Sequence, residues 1–124
     1  MAVTLKQHYV GIQVTLAASA TAYNILTLIN TALAALTPVQ EAPGACRELT
    51  IQSHDGVDGS GANTKDILVG DSAVTNSGTP RFAFVLHVGG NRTWRSSINN
   101  VDLSSIWVMS SGTSQKLNVE ITVG

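Results

Sequence analysis

Three stretches of this 124-residue chain carry residue types that could do chemistry. The first is "ILVGDSAVTNSG" (67–78), where an apolar run stops at Gly70-Asp71-Ser72. A Gly-Asp-Ser triplet after a short strand is one way for an esterase to present its nucleophile. Such a serine needs a histidine base and an orienting carboxylate within hydrogen-bond reach. The only downstream histidine is His87, inside a segment that reads as a strand, and the residue three before it is Phe84 rather than an aspartate. No helical pattern follows the triplet, so the strand-to-helix turn that exposes a nucleophile is missing. The expectation is a strand end, with Gly70 permitting a bend and Asp71 or Ser72 bonding the turn backbone.

The second stretch, "HDGVDGSGANTKD" (54–66), has the composition of a calcium loop. Counting from Asp55, positions 3 and 5 are Val57 and Gly59, which offer no side-chain oxygen, and no helices flank the segment. An irregular site would rest on Asp55 and Asp58; a plain surface loop is the simpler reading. His8, His54 and His87 have no paired metal-ligand spacing. No metal or cofactor is expected, and no catalytic residue is assigned. Cys46 is the single cysteine, so no internal disulfide can form. It reads as a small buried apolar residue, with only Arg47 nearby to activate a thiolate.

The third stretch, "NRTWRSSINNVDLSSIWV" (91–108), holds both tryptophans, Trp94 and Trp107, together with Arg92 and Arg95. Trp and Arg dominate binding hot spots, so these four residues are the candidate interface. Trp107 also reads as a core residue, and Trp94 suits core and interface equally. Single-stranded nucleic acid could stack on such aromatics, but seven Lys or Arg against eight Asp or Glu provide no basic face. Asn91-Arg92-Thr93 matches a glycosylation sequon; without a secretory signal it is discounted.

The elements that must position these residues are mostly strands. "HYVGIQVTLA" (8–17) alternates, with Val10, Ile12, Val14 and Leu16 on one face. In "TAYNILTLINTALAALTP" the period changes: Ile25, Leu28, Ile29, Ala32, Leu33 and Leu36 form a helical stripe. That predicts one helix near 22–36, capped by Thr21 and stopped by Pro38. Further strands are expected at 48–53 (Leu49 and Ile51 inward), 66–71 (Ile67, Val69), 81–88 (Phe82, Phe84, Leu86, Val88), 92–96, 103–111 (Ile106, Val108) and 116–123 (Leu117, Val119, Ile121, Val123). The candidate core is therefore Ile12, Val14, Leu49, Ile51, Ile67, Val69, Phe82, Phe84, Ile106, Val108, Leu117, Val119 and Ile121. Short strands with frequent turn signals indicate a mainly β chain: one antiparallel, jelly-roll-like sandwich of about seven or eight strands with a helical insertion at 20–40. Charged residues make up only 12%, which suggests that neighbours rather than water cover much of the surface. The uncharged run between Lys6 and Glu41 is broken by too many polar residues to span a membrane.

The order "CRELTIQS", "DILVGDSAVT", then "VDLSSIWVMSSGTSQKLNVEI" resembles small β-sandwich structural proteins of tailed bacteriophages, over roughly residues 46–124. In that family a strand of Arg-x-Leu-x-Ile type leads to an Ile/Val-x-Val-Gly-Asp-Ser strand, and a Leu-Ser-x-Ile-x-Val strand packs beside a closing Lys-Leu-x-Val strand. The helix departs from the simplest members. The resemblance implies a capsid cement or decoration protein, not an enzyme, that binds the outside of a phage head and bridges adjacent major capsid proteins. Its partners would be the major capsid protein and further copies of itself, as a trimer rather than a dimer, with no nucleic acid and no membrane. It would be made in the host bacterial cytoplasm and reside on the virion surface. The alternatives are a tail, head–tail connector or fibre-base protein, and a carbohydrate-binding sandwich that uses Trp94 and Trp107 as stacking platforms in a shared groove.

Overall fold

The apolar–polar alternation read along the chain becomes two facing sheets. The computed structural model describes residues 3–4 and 9–123; His8 and Lys6 lie outside them. In chain order the elements are β1 (Val3–Thr4), β2 (Tyr9–Leu16), β3 (Tyr23–Asn24), α1 (Ile25–Ala34), β4 (Gln40–Glu41), β5 (Ala45–Cys46), β6 (Glu48–Ser53), β7 (Ile67–Gly70), β8 (Phe84–Leu86), β9 (Asn91–Arg95), β10 (Val101–Asp102), a 3-10 turn at Leu103–Ser105, β11 (Trp107–Ser110) and β12 (Gln115–Thr122). One sheet runs β2-β12-β6-β9 and the other β3-β11-β7-β8, both antiparallel throughout. Two small pairings, β1 with β4 and β10 with β5, tie in the connections.

The inner faces of both sheets and the apolar face of α1 form one cluster. Val14, Leu49, Ile51, Ile67, Val69, Ile106, Val108, Leu117, Val119 and Ile121 are buried in it, as expected. Ile12 and Phe84 are half-buried against it. Phe82 is a correction: it is 43% exposed and belongs to no core cluster. The strand expected over 81–88 contracts to β8. Arg81 instead bridges back to Thr75, and the segment after Leu86 turns at once, with Gly90 N–H bonding the His87 carbonyl at 2.6 Å. Val88 is consequently 44% exposed.

The helix is also shorter than its apolar stripe. Tyr23 and Asn24 pair with β11, so the cap is Asn24 rather than Thr21. Its Oδ1 accepts the N–H groups of Leu26 and Thr27 at 3.1 and 3.4 Å, and its Nδ2 donates to the Ser104 carbonyl at 2.6 Å. The helix ends before Leu36, which is 42% exposed. Ile25, Leu28, Ile29 and Leu33 supply its buried face. The first part of the strand expected over 103–111 is the 3-10 turn, whose start Asp102 caps by accepting the Ser104 N–H.

The sheet β3-β11-β7-β8 is apolar on its outer face too. Leu68, Val74 and Met109 form a second buried cluster there, with Ala22, Val85 and Trp107 half-buried against it. Residues 71–82 fold over part of this face, held by a bidentate pair in which the Arg81 guanidinium donates to Asp71 at 2.5–3.1 Å. Gly70 eases the packing there: an added Cβ would stand 3.3 Å from the Phe82 Cα and 3.4 Å from the Val74 side chain, so those neighbours would have to give by a few tenths of an ångström.

Candidate interaction surface

Strands β8 and β9 are the edges of their sheets on the same side of the sandwich. Alternation decides which way each β9 side chain points. Trp94 pairs with buried Leu49 and Arg92 with buried Ile51, so both face inward, toward the opposite sheet. Arg95 pairs with Glu48 and faces out, where its Nε donates to Glu48 Oε2 at 3.0 Å. Phe84 pairs with buried Val69 and comes from the other sheet toward Trp94. The two ring centroids are 5.7 Å apart at 47°, and the Arg92 guanidinium lies 4.8 Å from the Phe84 centroid. The seam of the sandwich is thus closed by an aromatic pair with a cation over it.

Outside that pair lies an open hollow of about 490 Å3, lined mainly by Val69, Phe82, Phe84, Trp94 and Ile106 with the Asp71–Arg81 pair at its rim. A second hollow of about 390 Å3 shares Trp94, Ser105 and Ile106 and continues toward Asn100. Ile98, 66% exposed, stands in the connection beyond β9. The surface joins apolar area, aromatic edges and guanidinium groups, the composition that anchors protein contacts.

Of the four expected interface residues, Arg92 and Trp94 share this seam. Arg95 faces the outer side of β9, where it pairs with Glu48, and also lines the 390 Å3 hollow beside Trp94. Trp107 sits on the outer face of the opposite sheet, half-buried against Leu68, Val74 and Met109. The two tryptophans therefore do not line a shared groove, and the stacking platform expected of a carbohydrate module on Trp94 and Trp107 is not formed. Phe82 and Phe84, expected in the core, are the seam residues that sequence reasoning missed.

The other chemical candidates resolve into local structure. Asp71 Oδ1 accepts the Ala73 N–H at 2.9 Å, and the Arg81 guanidinium holds its carboxyl down to about 2. Ser72 is exposed beside it. His87 pairs through Nδ1 with Asp66 Oδ2 at 3.0 Å. Cys46 is fully buried, its thiol donating to the Glu48 carbonyl at 3.4 Å, and burial pushes that thiol up to about 11.

Loop 54–66 uses its acids as turn formers. Asp55 Oδ1 accepts the Val57 N–H at 3.0 Å, and Asp58 Oδ1 accepts the Ser60 N–H and hydroxyl at 2.9 and 2.7 Å. Those Ser60 bonds hold the Asp58 carboxyl below its usual range. Among the described residues no cluster of three or more His, Cys, Asp or Glu is arranged to hold a metal. His54 is buried, with Nε2 2.6 Å from Ser60 Oγ and 3.1 Å from Asp58. Among the described residues no helix is long and apolar enough to cross a membrane. No family model, curated protein or solved structure matches the chain.

Proposed function

We propose that this chain is a capsid cement or decoration protein of a tailed bacteriophage, seated on the outside of the head and bridging adjacent major capsid proteins. The observation that carries the reading is the seam between β8 and β9. There two sheet edges and a Phe84–Trp94–Arg92 stack present an apolar, arginine-bearing surface on a rigid frame. Such a surface serves contact rather than turnover. The resemblance of the 46–124 strand order to small phage sandwich proteins gives the partner class, and the formal net charge of −1 favours dense packing on a shell. Symmetry multiplies contacts that are weak one copy at a time, so a modest seam suffices. Self-association as a trimer belongs to the same proposal.

Quantitative mass spectrometry of purified particles tests it. A cement protein is expected at on the order of hundreds of copies, whereas a ring in a connector or tail holds about 6–12. The lower number would replace this reading with the connector or tail one, and absence from particles would end both.

A further inference from the structure

The outer face of the β2-β12-β6-β9 sheet carries a further, chemically different hollow of about 440 Å3. Its floor is Gly11, the one residue without a side chain between Tyr9 and Gln13 on the outward face of β2. Gln13, Gln52, Asn118 and Glu120 stand around it, and Asp58 of loop 54–66 closes one side. The amides are already ordered by one another. Gln13 Nε2 donates to Asn118 Oδ1 at 3.0 Å, and Asn118 Nδ2 donates to Gln52 Oε1 at 3.1 Å. Asn118 Nδ2 also lies 3.2 Å from His54 Nδ1. That buried ring ties the ladder to Ser60 and Asp58. The side chains that would meet a ligand are therefore held before it arrives, which lowers the ordering cost of binding.

The lining selects by chemistry. It holds two carboxylates and no Lys or Arg, so it repels anions. Its side chains are chiefly amides, a hydroxyl and carboxylates, so a purely apolar ligand would strand them. Asp58 Oδ1 is occupied by Ser60 and His54, and the charge of Glu120 opposes ionisation of the Tyr9 hydroxyl. With the amides bonded to one another, to His54 and to the Gly89 carbonyl, the Gln13 side-chain oxygen and the second Gln52 N–H remain to accept from and donate to sugar hydroxyls. Tyr9, 59% exposed, is the outward-facing residue before Gly11 on β2.

We propose that this hollow binds a neutral sugar ring. The site is separate from the β8–β9 seam and does not depend on the role assigned to it.

The full chain titrated with glucose, galactose, mannose and N-acetylglucosamine, followed by backbone amide NMR, tests the proposal. At least one sugar is expected to give saturable shifts at Gly11, Gln13, Gln52 and Asn118, with Kd roughly millimolar. Gly11→Thr is the decisive variant. An added Cβ meets only the Val119 carbonyl, at 4.0 Å, so the change fills the hollow without a clash. Threonine also favours strands, so the thermal midpoint is expected to hold or rise. The sugar shifts should weaken about tenfold or more, since the ring loses its seat. Asn118→Ala should also abolish them. No saturable shift with any of the four sugars overturns the proposal. So do shifts that survive Gly11→Thr, or calcium chloride shifting the same amides while the sugars do not, which would make the hollow a cation site.

Discussion

The side-chain amide of Asn63 meets both backbone groups of Lys116. Its Oδ1 accepts the Lys116 N–H at 2.7 Å, and its Nδ2 donates to the Lys116 carbonyl at 2.7 Å. One side chain thus stands in for a strand neighbour beside β12. Gln115 does the converse: its Oε1 accepts the N–H groups of Thr64 and Lys65 at 2.8 and 3.0 Å. Both amides are buried. Asn63→Ala leaves the Lys116 N–H and the Ser53 hydroxyl short of a partner, while the Lys116 carbonyl keeps the His54 N–H, and should cost about 1–3 kcal/mol. Urea unfolding measures it. Asn63→Asp keeps the acceptor but loses the donor and adds a buried charge, so it should be at least as damaging. A midpoint unchanged in both variants would mean that the amide does not stabilise the fold.

The opposite facing of Arg92 and Arg95 separates two substitutions close together on β9. On the proposed cement role, Trp94→Ala empties the seam and should weaken retention on phage particles by about 1–2 kcal/mol, roughly five- to thirty-fold. Arg95→Ala breaks an exposed pair with Glu48 and trims the edge of the hollow beside Trp94, and should change retention less, by under about 0.5 kcal/mol. Co-sedimentation with particles lacking the protein reads both. Equal losses in the two variants would place the contact on the outer face of β9.

Asp71 links the pairing of residues 71–82 to pH. Arg81, with help from the Ala73 N–H, lowers its carboxyl from the ordinary 3.8 to about 2. A group with a depressed folded-state value contributes stability that is complete above its unfolded value and lost as pH falls through the folded one. The Asp71–Arg81 contribution should therefore be intact at neutral pH and fade between 3.8 and about 2. Carbon-detected NMR titration should show the Asp71 carboxyl midpoint moving toward its ordinary value in Arg81→Gln. An unmoved midpoint would mean that the guanidinium is not its cause.

Alternation is legible where a strand is long and buried on one side only. β2, β6 and β12 fall where period two puts them, because a single slip would turn every apolar side chain to water. Leu68 escapes that logic, since β7 is buried on both faces. Phe82 is misplaced by sequence because a four-term apolar alternation outweighs the attraction between Asp71 and Arg81, ten residues apart. The split of Arg92 and Trp94 from Arg95 follows from the same period-two rule once 91–95 is taken as a strand. The amide clamps of Asn63 and Gln115 leave no such trace. A buried asparagine in a glycine-rich loop has the same spelling as an exposed one.

Cys46 should behave as a hidden thiol. With its value pushed up to about 11 by burial, little thiolate exists at mildly alkaline pH. Ellman's reagent is expected to react with the native protein far more slowly than with the chain unfolded in guanidinium. Equal rates would mean that the region around β5 opens readily.

Ser72→Ala should be nearly silent, within about 0.5 kcal/mol, because the turn is held by Asp71 rather than by Ser72. Thermal unfolding checks the number. A hydrolase activity present in the parent and absent in the variant would overturn the assignment of this serine to a turn.

The Asn63 N–H closes on the His54 carbonyl at 3.0 Å, so residues 55–62 leave and re-enter the sandwich at one point. A loop with its ends already joined adds little entropy cost when it grows, since that cost rises only with the logarithm of length. Val57, 86% exposed near its tip, marks a splice point. There a foreign peptide could be carried outward by every copy of the chain while the clamp beneath it stays shut.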